Sequence, residues 1–410
     1  MKESNLEGKR ILLGVTGSIA AYKAAVVASQ LTKAGAEVDV ILTEAGARFV
    51  TPLTFGALTG RPVYTSMWEA GSGGERGAHI SHIGLAHAAD LLAIIPATAN
   101  TMARIAHGLA DDLLSLTALA APCPLVIAPA MDAGMYEAPA TQENVETLRE
   151  RGAHIAGPGT GRMASGLEGA GRLLEPDELV GHIRLVLGRG GTLEGRRVVV
   201  TAGPTVEALD PVRVLTNRST GKQGFAVAQA AVDAGADVTL IAGPVAIPTP
   251  VGAQRVDVES AREMAAEVLS RAGGDDPVDV LIMAAAVADF RPAEQAEQKI
   301  KKAGGAPALE LAANPDILAE VAGGVTRPRV VVGFAAESEN LIANAQEKLA
   351  RKKLDMIAAN DVTGEDAGFA AETNRVHLIT REGVETLPLM SKAAVGARIA
   401  AWVADRLSTG

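Results

Sequence analysis

Twice along the chain a short Val/Ile/Leu strand runs through small residues into a helix that closes on the same signal. Ala34-Gly35-Ala36-Glu37-Val38 and Ala234-Gly235-Ala236-Asp237-Val238 each read as a helix end with glycine in the left-handed position, leading into a strand. Strand, turn, helix and strand in that order build a parallel unit, so the pattern predicts two doubly wound α/β domains. Any two such domains share this chemistry, and the echo implies similar architectures, not a repeat array. The chain's 410 residues suffice for two separate cores. Its scarcity of aromatics beside abundant Ala, Val, Ile, Leu and Gly suits sheets covered on both faces.

The first domain is expected over residues 1–187, with strands at Arg10–Val15, Glu37–Thr43, Leu91–Ile95 and Leu125–Ala128 and a helix over Ala20–Ala34. Leu-Gly-Arg-Gly-Gly-Thr-Leu-Glu-Gly is poor helix and poor strand, which puts a linker at 188–195. The second domain, 196–410, restarts with strand Arg197–Thr201, a helix near Phe225–Ala234 and strand Asp237–Ile241.

A net charge of −10 argues against a nucleic-acid or membrane surface; bound phosphates would need helix N-termini and a few placed lysines. The single cysteine, Cys123, excludes an intrachain disulfide and reads as a small core residue rather than a reactive thiol. The polar start carries no signal-peptide pattern, and Ala88–Ala97 is too short to span a bilayer, so a soluble cytoplasmic protein is expected.

Gly14-Val15-Thr16-Gly17-Ser18-Ile19-Ala20 sits where the first strand meets the first helix, and its small residues let a ligand approach free amides. It lacks the third glycine of the dinucleotide fingerprint. Strand two ends in Thr43-Glu44-Ala45-Gly46-Ala47 without the ribose-binding acid, which fits a mononucleotide better than NAD. Further on come Ser81-His82-Ile83-Gly84-Leu85, Pro96-Ala97-Thr98-Ala99-Asn100-Thr101, Asp111-Asp112-Leu113-Leu114-Ser115 and Pro129-Ala130-Met131-Asp132-Ala133-Gly134-Met135-Tyr136.

With these segments, nearly all of residues 8–180 resembles the homo-oligomeric flavin-containing cysteine decarboxylases, a flavodoxin-like flavoprotein fold. The resemblance implies FMN held by Gly17, Ser18, Thr43, Thr98, Asn100 and Ser115, with His82 acting on the substrate at the flavin and Met131 near it. In the family reaction the substrate's cysteinyl thiol is oxidised by transfer to FMN. The resulting thioaldehyde lets the carboxylate leave as carbon dioxide, and the enethiol is then reduced.

Two positions depart from the family pattern. Asp132 stands where asparagine usually meets the substrate carboxylate, and Ser165 stands where a flap cysteine assists the reduction, by alignment on Gly169-Ala170-Gly171-Arg172-Leu173. A hydroxyl is a far weaker acid than a thiol.

In the second domain, Ser219-Thr220-Gly221-Lys222 is not a P-loop, because Thr216 replaces the leading glycine and Gln223 follows the lysine. Its turn can still bind phosphate through amides. Asn217 precedes it. Then follow Met283-Ala284-Ala285-Ala286-Val287-Ala288-Asp289, Lys299-Ile300-Lys301-Lys302, Asn314-Pro315-Asp316-Ile317, Gly333-Phe334-Ala335 and Lys348 to Lys353 on a helix.

This order, over residues 196–405, resembles the bacterial, CTP-using phosphopantothenate–cysteine ligases. The resemblance implies that the 4'-phosphopantothenate carboxylate attacks the α-phosphate of CTP, and that cysteine displaces CMP from the acyl-cytidylate. Asn217 would bind that intermediate and Lys299 would stabilise charge during its formation or breakdown. Ser219, Gly221, Lys222, Met283, Ala284, Ala285, Asp289, Asn314, Pro315, Asp316, Ile317, Phe334, Lys348 and Lys352 would surround the substrates, with Mg²⁺ on the triphosphate. Lys301, Lys302 and Lys353 read as solvated charge.

The whole chain thus resembles a bifunctional enzyme of coenzyme A synthesis. A ligase whose flavin domain serves only oligomerisation is the alternative, and a flavoprotein regulatory subunit ranks behind both. In the two families the flavin site forms between subunits of a trimer and the ligase dimerises, which implies a homo-oligomer, a dodecamer if both interfaces form.

Overall fold

The computed structural model describes residues 3–68, 81–162, 166, 168–301, 308–337, 340–361 and 371–409. The chain divides into two compact units, Asn5–Leu187 and Met1–Ser4 with Gly188–Gly410.

In the unit Asn5–Leu187, six described strands form one sheet in the order Val63–Tyr64, Glu37–Leu42, Arg10–Val15, Leu91–Ala97, Leu125–Pro129, His154–Ile155. Every pairing is parallel. The chain winds outward one way from Arg10–Val15, then crosses back to wind the other way from Leu91–Ala97. The switch point lies between those two strands, and ligands of such sheets bind beyond the carboxyl ends there. Leu91–Ala97 is buried at every residue, because helices cover both faces of the sheet. The first helix runs Ala21–Lys33, within a residue of its expected bounds, and Gly35 follows it at φ +84°.

In the second unit, eight described strands are ordered Ala253–Asp257, Asp237–Ala242, Arg197–Ala202, Val280–Met283, Val330–Glu337, Met356–Asp361, Val376–Ile379, Val384–Thr386. The first six pair in parallel and place a second switch point between Arg197–Ala202 and Val280–Met283. The last two add antiparallel at the edge, an extension the pattern of alternating strands and helices does not announce. The helix expected near Phe225–Ala234 starts earlier, at Lys222, and ends at Asp233, with Gly235 at φ +90°.

The glycines around 188–191 serve close packing. The Ala-sized side chain that Gly191 lacks would lie 2.4 Å from the Ala234 carbonyl oxygen, and that of Gly188 2.7 Å from the Val232 carbonyl oxygen. Leu193 is buried, and its N–H donates to the Ala234 carbonyl at 2.8 Å. Cys123, half-buried just before Leu125–Pro129, packs against the core, and burial pushes its thiol up.

Candidate functional sites

At the switch point of the flavoprotein-like unit, Thr16 is buried and ties the two central strands together. Its hydroxyl donates to the Pro96 carbonyl at 2.6 Å and accepts from the Thr98 N–H at 3.2 Å. Leaving such a buried group unpaired would cost about 1–3 kcal/mol, so this bond holds the strand ends in register under the site.

The residues expected to hold the flavin stand along this carboxyl edge, and three of them also cap helices. Thr43 caps Glu44–Ala47, accepting from the Gly46 N–H at 3.1 Å and donating to the Val15 carbonyl at 3.2 Å. Thr98 caps Ala99–His107, accepting from the Thr101 N–H at 3.3 Å. Ser115 closes a capping box with Asp112, whose Oδ1 accepts from the Ser115 N–H at 2.7 Å. Asn100 lies in the first turn of Ala99–His107. The helix Ala21–Lys33 is different: its N-cap, Ala20, contributes no side-chain hydrogen bond. An uncapped helix start beside Gly17 and Ser18 suits an anion.

Gly17 makes the cradle possible. A Cβ there would stand 2.5 Å from the Ala45 Cβ, so only glycine lets the first turn lie against the Thr43–Ala47 turn. This close approach fits a flavin phosphate placed over the switch point.

A cavity of about 480 Å³ opens beside it, lined by Ser18, Lys23, Met131, Asp132, Arg162 and Arg172 among others. It gathers three of the expected residues and adds a cationic wall that sequence reasoning missed. Lys23 is buried, donating to the Leu173 carbonyl at 3.1 Å and to Glu175 Oε1 at 3.0 Å. That contact, ahead of the opposing effect of desolvation, holds the Glu175 carboxyl below its ordinary range. Asp132 caps Ala133–Glu137, its Oδ1 accepting from the Gly134 N–H at 3.0 Å. Capping gives this carboxylate a local role that asparagine would fill equally well. His82, half-buried in the first turn of Ser81–Ala88, is outside the lining of this cavity. Ser165 and Lys302 lie outside the described residues.

In the second unit a cavity of about 630 Å³ occupies the carboxyl edge at the switch point. Its wall brings together Asn217, Ser219, Gly221, Met283, Ala284, Ala285, Asp289, the Asn314–Ile317 run, Phe334, Lys348 and Lys352, which are spread over some 130 positions of sequence. The Asn217 Nδ2 donates to the Ala286 carbonyl at 3.0 Å, and the Asn314 Nδ2 to the Ala288 carbonyl at 2.9 Å, which fixes both amides against the strand-end loop. Lys348 donates to the Phe334 carbonyl at 3.3 Å, and Lys352 to Asp316 Oδ1 at 2.8 Å. Burial works to raise the Asp316 pKa, but Lys352, the Ala319 N–H and Lys348 outweigh it and hold the carboxyl low. The helix carrying these lysines ends at Arg351. Lys352 is therefore its C-cap, and Lys353 turns left-handed at φ +49°.

Two expected members stand apart from this wall. Lys222, the first residue of its helix, donates to Glu372, and Lys299 is exposed on the segment after Phe290–Pro292. Three others in the wall, Gln223, Asn360 and Lys392, lie outside the set of residues expected to surround the substrates. The Asn360 side-chain oxygen is buried without a hydrogen-bond partner among the described residues. Among the described residues no group of three or more His, Cys, Asp and Glu could hold a metal ion, and no helix is long and apolar enough to cross a membrane.

Two doubly wound units, each with a cavity at its switch point, define an α/β protein with two candidate binding centres. Residues 1–188 match the family model described as Flavoprotein, and residues 193–407 the one described as DNA/pantothenate metabolism flavoprotein C-terminal domain. The chain is 48% identical over 397 residues to the coenzyme A biosynthesis bifunctional protein CoaBC of Vibrio cholerae, covering 96% of this chain and 98% of that one. It is 45% identical over 398 residues to the protein of the same name from Bacillus subtilis, covering 96% of each. A crystal structure of the C-terminal domain of a CoaBC protein shares 36% identity at a TM-score of 0.46, covering 54% of this chain and 100% of that one. The chain belongs to the family of bifunctional coenzyme A biosynthesis proteins, with a ligase half and a decarboxylase half. A ligase with a merely structural flavin domain is not favoured, because the relatives named bifunctional align over nearly the full length.

Proposed function

We propose that the second unit joins cysteine to 4'-phosphopantothenate with CTP, and that the first decarboxylates the product with FMN. The observation that carries the ligase reading is the 630 Å³ cavity, which collects Asn217, Asp289, Asn314, Phe334, Lys348 and Lys352 around one volume.

In the first ligase step a carboxylate oxygen bonds to the α-phosphorus of CTP and pyrophosphate leaves. Two anions must meet, so Lys348 and Lys352 on one wall offset their repulsion, and Lys299, exposed outside that wall, would join them on substrate binding. Asn217, braced on Ala286, holds the acyl-cytidylate. The cysteine amine then bonds to the acyl carbon, CMP leaves and the amine loses a proton. Mg²⁺ carried by the CTP triphosphate would offset charge on the departing pyrophosphate.

In the decarboxylase unit, FMN supplies the oxidation of the substrate's carbon–sulfur unit and the return of that electron pair. The uncapped start of Ala21–Lys33, with Gly17 and Ser18, takes its phosphate. Thr43 and Thr98, which cap their helices, and Asn100 and Ser115, in the first turns of theirs, line its edge. Met131 and Asp132 face substrate beside Lys23, Arg162 and Arg172, whose positive charge suits an anionic phosphopantothenoyl group. His82 moves a proton at the substrate, and Ser165 takes the place of the flap cysteine. The domain boundaries are 1–187 and 196–410, and the protein works in the cytoplasm as a homo-oligomer, a dodecamer if trimer and dimer contacts coexist.

The purified full chain tests this directly. It should be yellow, release pyrophosphate from CTP only with 4'-phosphopantothenate, and release carbon dioxide once cysteine is added. A colourless protein that still releases pyrophosphate would leave only the ligase reading, and accumulation of the enethiol would mean that Ser165 does not complete the reduction.

A further inference from the structure

Asn217 and Asp289 both stand exposed on the wall of the ligase cavity. Asn217 follows the ribbon strand Val214–Thr216, and Asp289 lies on the loop between strands Val280–Met283 and Phe290–Pro292. Exposed side chains gain little from packing, so their places depend on what holds the backbone beneath them. The bonds that do so converge on Thr205, which has no exposed surface.

The polar groups of Thr205 each reach a different support. Its N–H donates to the Ala286 carbonyl at 3.2 Å, and that same carbonyl accepts the Asn217 Nδ2 at 3.0 Å. Its carbonyl accepts the hydroxyl of Thr216, the neighbour of Asn217, at 2.8 Å. Its hydroxyl oxygen accepts the N–H of Ala288, the neighbour of Asp289, at 2.9 Å. Asn314 holds the same loop from the other side. Its Nδ2 donates to the Ala288 carbonyl at 2.9 Å, and its N–H donates to the Asp289 carbonyl at 2.8 Å.

Valine would fill the space of Thr205 but would leave the buried Ala288 N–H without an acceptor. The first unit uses a similar device, where buried Thr16 bonds the Pro96 carbonyl and the Thr98 N–H across its own switch point. We propose that Thr205 is a positioning residue of the ligase. It couples the ribbon that carries Asn217 to the loop that carries Asp289, so the group that holds the acyl-cytidylate and the acid beside the nucleotide keep one spacing. The proposal rests on the assignment of this cavity to ligation. When the spacing loosens, the acyl-cytidylate is no longer held for the cysteine amine. A water oxygen then bonds to the acyl carbon, CMP leaves, and the water gives up a proton. 4'-Phosphopantothenate is regenerated, and pyrophosphate has formed without an amide.

The test uses the full chain with Thr205→Val and Thr205→Ser. Pyrophosphate release and consumption of free cysteine are measured in the same reaction while CTP is varied. In the wild type the two should match one for one. Thr205→Val should raise KM for CTP by roughly tenfold and release about two or more pyrophosphates for each cysteine consumed. Thr205→Ser keeps the hydroxyl and should restore both. Lost stability alone would lower release and consumption together, so their ratio does not depend on how much of the enzyme is folded. A folded Thr205→Val enzyme in which neither quantity changes, or only one of them, overturns the coupling. Thr205→Ala takes the place of Thr205→Val if that variant does not fold; failure of both to fold makes the residue structural and also overturns it. A wild-type protein that releases no pyrophosphate from CTP and 4'-phosphopantothenate refutes the ligase reading itself, a separate outcome seen before any variant is made.

Discussion

Asp210 Oδ2 accepts the backbone N–H of Ile300 at 3.1 Å, and so ties the residue next to Lys299 to the turn between strands Val206–Ala208 and Val214–Thr216. Asp210 is buried. Its Oδ1 also accepts the Val212 and Arg213 N–H groups, both at 2.8 Å, and Arg213 reaches the Ile300 carbonyl at 3.1 Å. Lys299 is exposed, yet its backbone is anchored on both sides of the following residue. Asp210→Asn should therefore lower ligase kcat on the order of a hundredfold through misplacement of Lys299, while CTP binding measured by calorimetry changes little. Equal losses in both would show that the clamp supports the cavity rather than Lys299.

The same carboxylate predicts an acid limb. Desolvation works to raise its pKa, but the N–H groups of Val212, Ile300 and Arg213, with the Arg213 charge, outweigh it and hold the pKa below the ordinary value. The stability it contributes is present above the unfolded carboxylate range, near pH 4, and is lost as pH falls through the lower folded value. Denaturant unfolding of wild type and Asp210→Asn should differ at neutral pH and converge in acid. A gap that stays constant with pH would rule out this linkage.

Gly17→Ala should disturb the flavin cradle, because its Cβ would meet the Ala45 Cβ at 2.5 Å. Overpacking of this kind costs about 1–3 kcal/mol. The expected result is a lower ratio of flavin to protein in the visible spectrum, with a modest fall in unfolding midpoint. Full flavin content would remove Gly17 from the site.

Thr98 has a capping role that does not depend on any ligand. Thr98→Ala should lower the stability of flavin-free protein by about 1 kcal/mol, and Thr98→Ser should recover most of it. If the alanine variant loses flavin but no stability, the hydroxyl serves the cofactor alone.

His154 Nε2 and His182 Nδ1 lie 2.8 Å apart, and burial pushes the His182 pKa down, with Glu178 opposing. Protonation thus favours the unfolded chain. Stability should be full above the unfolded histidine value, about 6.5, and should fall as pH drops from there toward the lower folded value. Thermal unfolding between pH 7.5 and 5.5, on the order of one unit to either side of that value, should show a steeper decline in wild type than in His182→Gln. Parallel curves would mean the pair does not titrate there.

Local chemistry made much of this protein legible before any fold was known. The strand runs, the glycines at 35 and 235 and the small residues at 14–20 each act over a few neighbours, so their spacing alone implies two doubly wound sheets. The wall of the second cavity was legible through resemblance, because Asn217, Asp289, Asn314 and Phe334 stand in recognisable short segments. Lys392 was not. It lies about 170 positions from Gln223, and a lysine opening a helix reads as solvated until packing buries it. Asn360 stands in a segment that shares the resemblance, but the burial of its side-chain oxygen depends on the packed chain. The antiparallel edge at Val376–Thr386 and the clamp from Asp210 to Ile300 likewise depend on which distant backbones meet. The sequence by itself determined the elements and the chemical groups on offer. The tertiary structure decided which of those groups lose water and face one another, because burial and long-range hydrogen bonding are properties of the packed chain and not of any segment.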